Sequence, residues 1–345
     1  MVSEQKTQLL YQYDKPIYWN LSVFGNEYLM FVLDNVCRIL KENGQPIPFS
    51  TIHGSYSCKY NGGRAASFKD SRKNIEYKIN KYNKEGIGVK MTFSNMNINT
   101  STFEEEEMRW YLDVLNQNKG VHNGIICVDD GFAELVKKNY PDLDLVASHV
   151  KTELETKMGE TDTVEYYNPK FDLYDIVVIN TYRAFDDDFL SKITHPEKVE
   201  FIVNRSCTTN CQMAAYHHEL IDKIQEIKVA NGNDLNKFRN DLDFIRTRKK
   251  VDDLLDKCKE IKMMNIKDKL CKQIINREEI NYLLNTYGIN HFKIEGRDLA
   301  AYEMYVNLGR YIFNNLSIFD LIRIPGIDER GEVVQEKLKN NFIDY

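Results

Sequence analysis

The 345-residue sequence has no long apolar run, and no stretch approaches the roughly 20 residues that a membrane-spanning helix needs. Its first residues, Met-Val-Ser-Glu-Gln-Lys, lack the charged-then-apolar pattern of a signal peptide. These two absences predict a cytoplasmic protein without a membrane span.

Common catalytic motifs are missing too. The sequence contains no Walker loop, no His-Glu-x-x-His zinc helix and no glycine-flanked nucleophilic serine. These absences argue against P-loop nucleotide hydrolases, zincin-type proteases and serine hydrolases of the nucleophile-elbow type. Any peptidase activity would need a nucleophile and a base that the sequence does not reveal.

An excess of positive charge is also absent. The 46 Lys and Arg residues are outnumbered by 52 Asp and Glu residues, which gives a net charge of -6. A generally basic nucleic-acid surface is therefore excluded, so any RNA contact must come from a local patch. Hydrophobic content of 42% is ordinary for a globular protein with a sizeable core.

Cysteine is sparse, odd in number and thinly spread, with seven residues in the chain. In a reducing compartment such thiols are metal ligands, reactive groups or buried filler, and they do not form disulfides.

Strand and helix patterns alternate along most of the chain. Predicted strands cover 17–23, 48–54, 87–93, 124–128, 143–147, 175–180, 199–204 and 290–297, each followed by a helical period. Within this series, Ser101-Thr-Phe-Glu104 has the form of a capping box and predicts the start of a helix through Leu115. Eight strand–helix pairs with right-handed crossovers predict an α/β fold, a (β/α)8 TIM-type barrel.

A charged helical stretch at 219–272 interrupts the alternation between the seventh and eighth strands. We interpret it as an insertion near the mouth of the barrel. It is either a solvated helical surface or a docking surface for RNA or a protein partner. The predicted domain is 1–325 including this insertion, and 326–345 is a polar C-terminal tail.

The segment around which the chain is organised is the end of the seventh strand, where Cys207 and Cys211 precede a helix. Two thiols at this spacing can turn toward one point and share a metal or a cluster iron. The alternative interpretation is a pair of small buried hydrophobic residues. Polar Asn, Arg and Thr neighbours favour the first interpretation.

Polar side chains collect where the predicted strands end, the position at which barrels place their chemistry. This set consists of His53, Cys58, Arg64, Asn95, Asp129, His149, Asn180, Arg183, Asn204, Arg205, Cys207, Glu295 and Arg297.

Two of these segments resemble a known family. The run from Asn204 to Cys211 with Tyr216-His217-His218 downstream, and Phe292-Lys-Ile-Glu-Gly-Arg297 before an aromatic-rich helix, are similar to the collagenase-like peptidase family U32. About a third of the chain carries the resemblance. It implies an iron–sulfur protein that hydroxylates an RNA base or an aromatic or quinone precursor without molecular oxygen, or an accessory subunit for that reaction. It also implies prephenate as the oxygen donor.

The resemblance implies a [4Fe–4S] cluster held by four cysteines. Cys207 and Cys211 match the close pair, Cys271 lies before the closing helix and strand as a family ligand does, and Cys58 resembles an early ligand of the ubiquinone-pathway branch. Cys258 is the competitor of Cys271. The remaining two thiols, Cys37 on an apolar helix face and Cys127 within a buried strand, are predicted to be core residues.

Further roles follow from charge and placement within the predicted mouth. Arg64, Arg183 and Arg297 are candidates for binding the carboxylates of a small acid donor through paired hydrogen bonds. Glu295 or His217 is the candidate for proton transfer. The alternatives are an ion pair of Glu295 with Lys293 or Arg297, and a helix-packing role for one of His217 and His218.

Several sequence features leave the function open. The longer cysteine-rich signature of RNA-hydroxylating members is not visible, so the resemblance implies either an RNA base or an aromatic or quinone precursor as substrate. It also implies a heteromeric partner of the same family, as in the paired ubiquinone-pathway proteins. The alternative functions are a peptidase of that family and a non-catalytic barrel with a structural zinc site, because four thiolates suit zinc as well as iron.

Overall fold

The computed structural model describes residues 8–62, 69–205, 207, 211–265, 274–296 and 301–314. Within them, eight parallel strands pair in sequence order and close into a barrel. The strands are β1 (Tyr18–Phe24), β2 (Phe49–Gly54), β3 (Gly88–Phe93), β4 (Gly124–Cys127), β5 (Asp144–Ala147), β6 (Ile176–Val178), β7 (Val199–Ile202) and β8 (His291–Ile294). The predicted (β/α)8 fold is thus confirmed.

The helices of the described residues surround this barrel or lie between β7 and β8. They are α1 (Glu27–Glu42), α2 (Arg72–Lys84), α3 (Glu106–Leu115), α4 (Asp130–Asn139), α5 (His149–Glu155), α6 (Val164–Tyr167), α7 (Lys170–Leu173), α8 (Asp187–Leu190), α9 (Ala214–Ala230), α10 (Leu235–Arg239), α11 (Leu242–Asn265), α12 (Arg277–Thr286) and α13 (Ala301–Tyr311). None of them is long and apolar enough to span a membrane.

The predicted capping box at Ser101 is wrong by two residues. Asn99 and Thr102 form the box, and it opens a single 3-10 turn, Thr100–Glu104. The helix α3 begins after that turn at Glu106. Asn is as good an N-cap as Ser, and its side chain accepts from the backbone N–H of Ser101 here.

The inside of the barrel is apolar on one side and polar on the other. Side chains alternate between the two faces of each strand, so those that do not face the surrounding helices point inward. On β4 to β7 the inward residues form an apolar cluster of Ile126, Val146, Ile176, Val178 and Ile202. On β7, β8 and β1 to β3 they are polar and buried, with Asn20, Ser22, Thr51, His53, Lys90, Thr92, Glu200 and Lys293.

A hydrogen-bonded network fills the middle of the polar side. Thr51 donates to Asn20, and the Asn20 amide donates to the Glu200 carboxylate. The Lys293 ammonium lies 4.0 Å from the same carboxylate. Because each of these buried polar groups has a partner, the network replaces an apolar core layer without leaving charge uncompensated.

A second buried ion pair links β3 and β5 across β4. Lys90 Nζ lies 3.1 Å from the Asp144 carboxylate. Gly124 lies between them in the sheet, and a Cβ at this position would approach the Asp144 carbonyl oxygen to 2.0 Å. A glycine is therefore required for the close approach of these strands. His291, in register with β1 and β7, is close enough to interact with the charges of Lys90 and Asp144.

Acid should destabilise the barrel from near neutral pH through His291. Burial and the Lys90 charge lower the pKa of His291 from 6.5 to about 3. The pKa of His291 is lower in the folded protein than in the unfolded chain, so protonation favours unfolding. The stability that neutral His291 contributes is therefore complete above pH 6.5 and is lost as the pH falls toward 3. We expect His291 to account for about 2 kcal/mol of the drop in the free energy of unfolding between pH 7.5 and pH 5 in chemical denaturation, with buried His149 adding a drop of the same sign.

His291→Gln should remove the His291 part of that dependence. His122 is the contrasting control, because its hydrogen bond to Asp144 raises its pKa and makes its contribution disappear as the pH rises. An unchanged pH profile in His291→Gln would show that His291 is not held neutral by the fold.

The insertion has a hydrophobic core of its own. Leu220 and Ile224 of α9 pack with Phe238 of α10 and with Val251 and Leu254 of α11, in a cluster separate from the barrel core. On another side of α9, Asp222, Gln225 and Lys228 are buried as well. The insertion predicted between the seventh and eighth strands is therefore a small helical unit that presents polar residues to the barrel.

Candidate active site at the covered barrel mouth

The helix α9 lies across the carboxyl ends of the barrel strands. Its Asp222 accepts a hydrogen bond of 2.8 Å from the backbone N–H of Met96, which follows β3. Gln225 Nε2 donates to the Ser57 hydroxyl, after β2, at 2.7 Å. The mouth at which barrels place their chemistry is thus covered by polar contacts from the insertion.

Beneath this cover, a buried carboxylate joins three elements. Glu153 of α5 lies 2.6 Å from the Arg205 guanidinium, which follows β7, and 3.3 Å from His218 Nε2 on α9. His149, one turn before Glu153, lies 3.8 Å from the same carboxylate. The side chains of Glu153 and Arg205 are 10% and 7% exposed, so water screens their interaction weakly.

The charges of this group follow from its surroundings. Burial alone would raise the pKa of the Glu153 carboxyl, but the Arg205 charge and the His218 hydrogen bond hold it well below its usual range. Burial, reinforced by the Arg205 charge, lowers the pKa of His149 well below 6.5. At neutral pH the group therefore contains a carboxylate, a guanidinium and a neutral His149 imidazole.

Thiols adjoin this ion pair. Burial alone would lower the pKa of Arg205, but Glu153 and the nearby Cys207 group raise it. Burial raises the pKa of the Cys211 thiol, and the backbone N–H of Met213 opposes this shift. The neighbouring Cys207, Glu153 and Cys258 groups raise the pKa further. Three thiols, from the β7 exit, the start of α9 and α11, therefore share one electrostatic neighbourhood with Glu153.

Cys58 lies in a different environment. It is buried in the core, where burial raises its pKa to about 11 and Tyr111 is close enough to interact with its sulfur. The described contacts of Cys58 include none with the other thiols, so this placement does not support its predicted role as a ligand beside Cys207 and Cys211. Cys37 and Cys127 lie in the core, as predicted. Cys271 lies outside the described residues.

The described residues have the right chemistry for a thiolate-bound metal group, but they do not form a complete set of ligands. The donor set at the β7 exit is chemically suitable, because cysteine thiolates hold iron–sulfur clusters and zinc. No group of three or more Cys, His, Asp or Glu side chains in the described part of the chain is arranged closely enough to bind a metal ion. Cys207 and Cys211, with Cys258 in the same electrostatic neighbourhood, are therefore candidate thiolates, but they do not make a complete metal site among the described residues.

Of the three predicted anion-binding arginines, the described part of the chain contains Arg183. Arg183 bonds to the fully buried Asp162 at 3.0 Å and to Asp186, so its guanidinium is already neutralised by two carboxylates. This pairing argues against the predicted role of Arg183 in donor binding. Arg64 and Arg297 lie outside the described residues.

The proton-transfer candidates are placed more favourably. The backbone of Glu295 exchanges two hydrogen bonds of 2.8 Å with the Asn204 side chain, and its carboxylate is close enough to interact with the Arg205 charge. The ring of His217 stacks on that of His218 at 5.9 Å. His218, and not the predicted His217, makes the contact with Glu153.

Sequence reasoning missed Glu153. His149 was selected as a strand-end residue, and Glu153 follows it by four positions, the spacing that places two side chains on one face of a helix. That His-x-x-x-Glu spacing directly after a strand is the signal that points to it.

The fold and the site define a parallel β/α-barrel protein whose strand ends, covered by an inserted helical unit, gather a buried ion pair and thiols. In comparisons with known proteins, no family model and no curated protein matches the chain. A solved structure of the U32 peptidase Mk0906 is similar over 83% of this chain and 95% of that chain, with 14% sequence identity and a TM-score of 0.49.

Proposed function

We propose that this protein is an iron–sulfur enzyme of the U32-like type that hydroxylates an aromatic or quinone precursor without molecular oxygen. The observation that carries the proposal is the meeting of Cys207 and Cys211 with the buried Glu153–Arg205 pair at the covered mouth. The resemblance of the Asn204–Cys211 and Phe292–Arg297 segments to that family supports it.

Cys207 and Cys211 would hold the cluster, with two further thiolates from among Cys58, Cys258 and Cys271 completing the set of four. When bound, such a cluster supplies one-electron redox chemistry, tuned by hydrogen bonds to its sulfurs and by burial. Arg205 lies in the electrostatic neighbourhood of Cys207, and Glu153 neutralises Arg205. The positively charged Arg205 side chain is thus held near a cysteine that would bind the cluster, and Glu153 balances its buried charge.

Other residues at the mouth would contact the substrate, and the helical cover would exclude water from it. His149 is neutral and buried, which suits a group that accepts a hydrogen bond from a substrate hydroxyl. The cover formed by α9 keeps water from this region and strengthens electrostatic interactions within it. Glu295, beside Arg205, is a candidate for proton transfer.

The charges of α11 bear on the choice between a small-molecule substrate and an RNA base. The basic side chains of Arg246, Arg248 and Lys259 each pair with an Asp of the same helix, at 3.6, 3.0 and 2.9 Å. RNA binding by phosphate contact requires unneutralised Lys and Arg residues on one surface. Lys249, Lys250 and Lys257 are exposed on the same helix and are not among these pairs, so α11 retains basic side chains for a phosphate, and RNA stays the second candidate substrate.

The proposal is tested by turnover under nitrogen. The reconstituted protein is incubated with prephenate, a reductant and a set of phenolic and quinone precursors, and the products are analysed by mass spectrometry. We expect one acceptor to gain a mass of about 16, with loss of the product in Cys207→Ala. Reaction only in air, or release of peptides from a protein substrate, would contradict the proposal.

A further inference from the structure

Several buried side chains at the mouth carry polar atoms without a hydrogen-bond partner, among them His218 Nδ1 and three residues on the barrel side. The three are Thr92 with its hydroxyl oxygen, Asn95 with Nδ2, and His149 with both ring nitrogens. These residues are 5%, 1% and 9% exposed. A buried polar group without a partner destabilises a fold, so such groups are retained where another molecule satisfies them.

The three residues belong to one region of the barrel. Thr92 points inward near the end of β3, Asn95 follows that strand, and His149 follows β5. Only β4 separates the two strands, so their ends lie on the order of 10 Å apart. The α9 residues Asp222 and His218 contact Met96 and Glu153 on these two sides. The unpartnered atoms therefore belong to residues at neighbouring strand ends on the side of the barrel that α9 covers.

The surrounding charges select the ligand chemistry. Arg205 is neutralised by Glu153, and Lys293 lies 4.0 Å from Glu200. Hydrogen bonding, not net charge, therefore governs recognition here. Asn95 Nδ2 can only donate, the neutral His149 ring has one donor and one acceptor nitrogen, and the Thr92 hydroxyl can do either.

We propose that Thr92, Asn95 and His149 form a binding site for a small organic molecule rich in hydroxyl and carbonyl oxygens. Asn95 donates to a carbonyl oxygen, and His149 and Thr92 bind hydroxyl groups. The site lies in the active-site region of the proposed function and rests on that proposal only for the choice of probe. Its occupant would be the substrate or the oxygen donor.

Matched threonine variants test the site without a ligand. Thr92→Val removes a hydroxyl without a partner and should raise Tm by roughly 1–3 °C. Thr51→Val is the control, because Thr51 also lies inward on a barrel strand and is buried, but its hydroxyl donates to Asn20. That variant should lower Tm by a similar amount. An unchanged or lowered Tm for Thr92→Val would show that the fold itself satisfies this hydroxyl and would overturn the proposal.

Prephenate, as the probe, separates this inference from the proposed function. It should raise Tm in the wild type and in Thr51→Val, with a smaller rise in Thr92→Val. Equal rises in all three proteins would overturn the site. If prephenate has no effect on the wild type while the ligand-free pattern holds, the site stands and prephenate is excluded as the donor.

Discussion

Cys207→Ala or Cys211→Ala should remove most of the bound iron and bleach the visible absorption of the anaerobically reconstituted protein. Both thiols lie beside the Arg205–Glu153 pair, and loss of one ligand from a close pair leaves a cluster iron exposed to exchange. Iron, sulfide and the visible spectrum are measured on the same sample. Full iron loading in both variants would contradict the proposed ligands.

Four other thiols provide graded comparisons. Cys37→Ala and Cys127→Ala should keep the iron, because both thiols lie in the hydrophobic core. Cys58→Ala should also keep it, since that sulfur interacts with Tyr111 and has no described contact with the other thiols. Cys258→Ala should lower iron content, because Cys258 interacts with Cys211. The reverse order for Cys58 and Cys258 would restore the ligand set implied by the family resemblance.

Glu153→Ala should lower the free energy of unfolding by about 3–5 kcal/mol in urea denaturation. The substitution leaves the buried Arg205 guanidinium without its carboxylate at 2.6 Å and also removes the partner of His218. An uncompensated buried charge costs much more than the loss of a surface ion pair.

Glu155→Ala is the matched control for this prediction, on the same helix two residues later. Its carboxylate bonds to Lys151 at 2.7 Å but is 40% exposed, so its loss should cost about 1 kcal/mol. A double variant, Glu153→Gln with Arg205→Met, should be more stable than Glu153→Ala, because it removes both buried charges. Equal losses for Glu153→Ala and Glu155→Ala would show that the Glu153 pair is not buried as described.

The barrel was predictable because local patterns determine it. Even the shortest strand, Ile176–Val178, lies within the range 175–180 that its apolar run indicated. Eight such runs alternating with helical periods leave few other topologies, since parallel strands joined by helices must cross over in one hand. The insertion was predictable because its charged, helical composition interrupts the alternation of strand and helix patterns along the chain.

The partners of the site residues were not predictable in the same way. Arg183 resembles an anion-binding residue in the sequence, but its guanidinium is engaged by Asp162, 21 positions away, in a contact that only the tertiary fold creates. Cys58 follows a strand end, yet the loop after β2 folds so that its sulfur meets Tyr111 of α3. Position along a barrel strand thus indicates which residues approach the mouth, and packing decides which of them face it.

The central claim is that thiolates at the β7 exit hold an iron–sulfur cluster beneath the helical cover. Its most direct test is the visible spectrum of the anaerobically purified full-length chain, with iron, sulfide and zinc assays on the same sample. The account predicts a brown protein with broad absorption near the visible blue and about four iron and four sulfide per chain. A colourless protein with about one zinc per chain and no sulfide would contradict it.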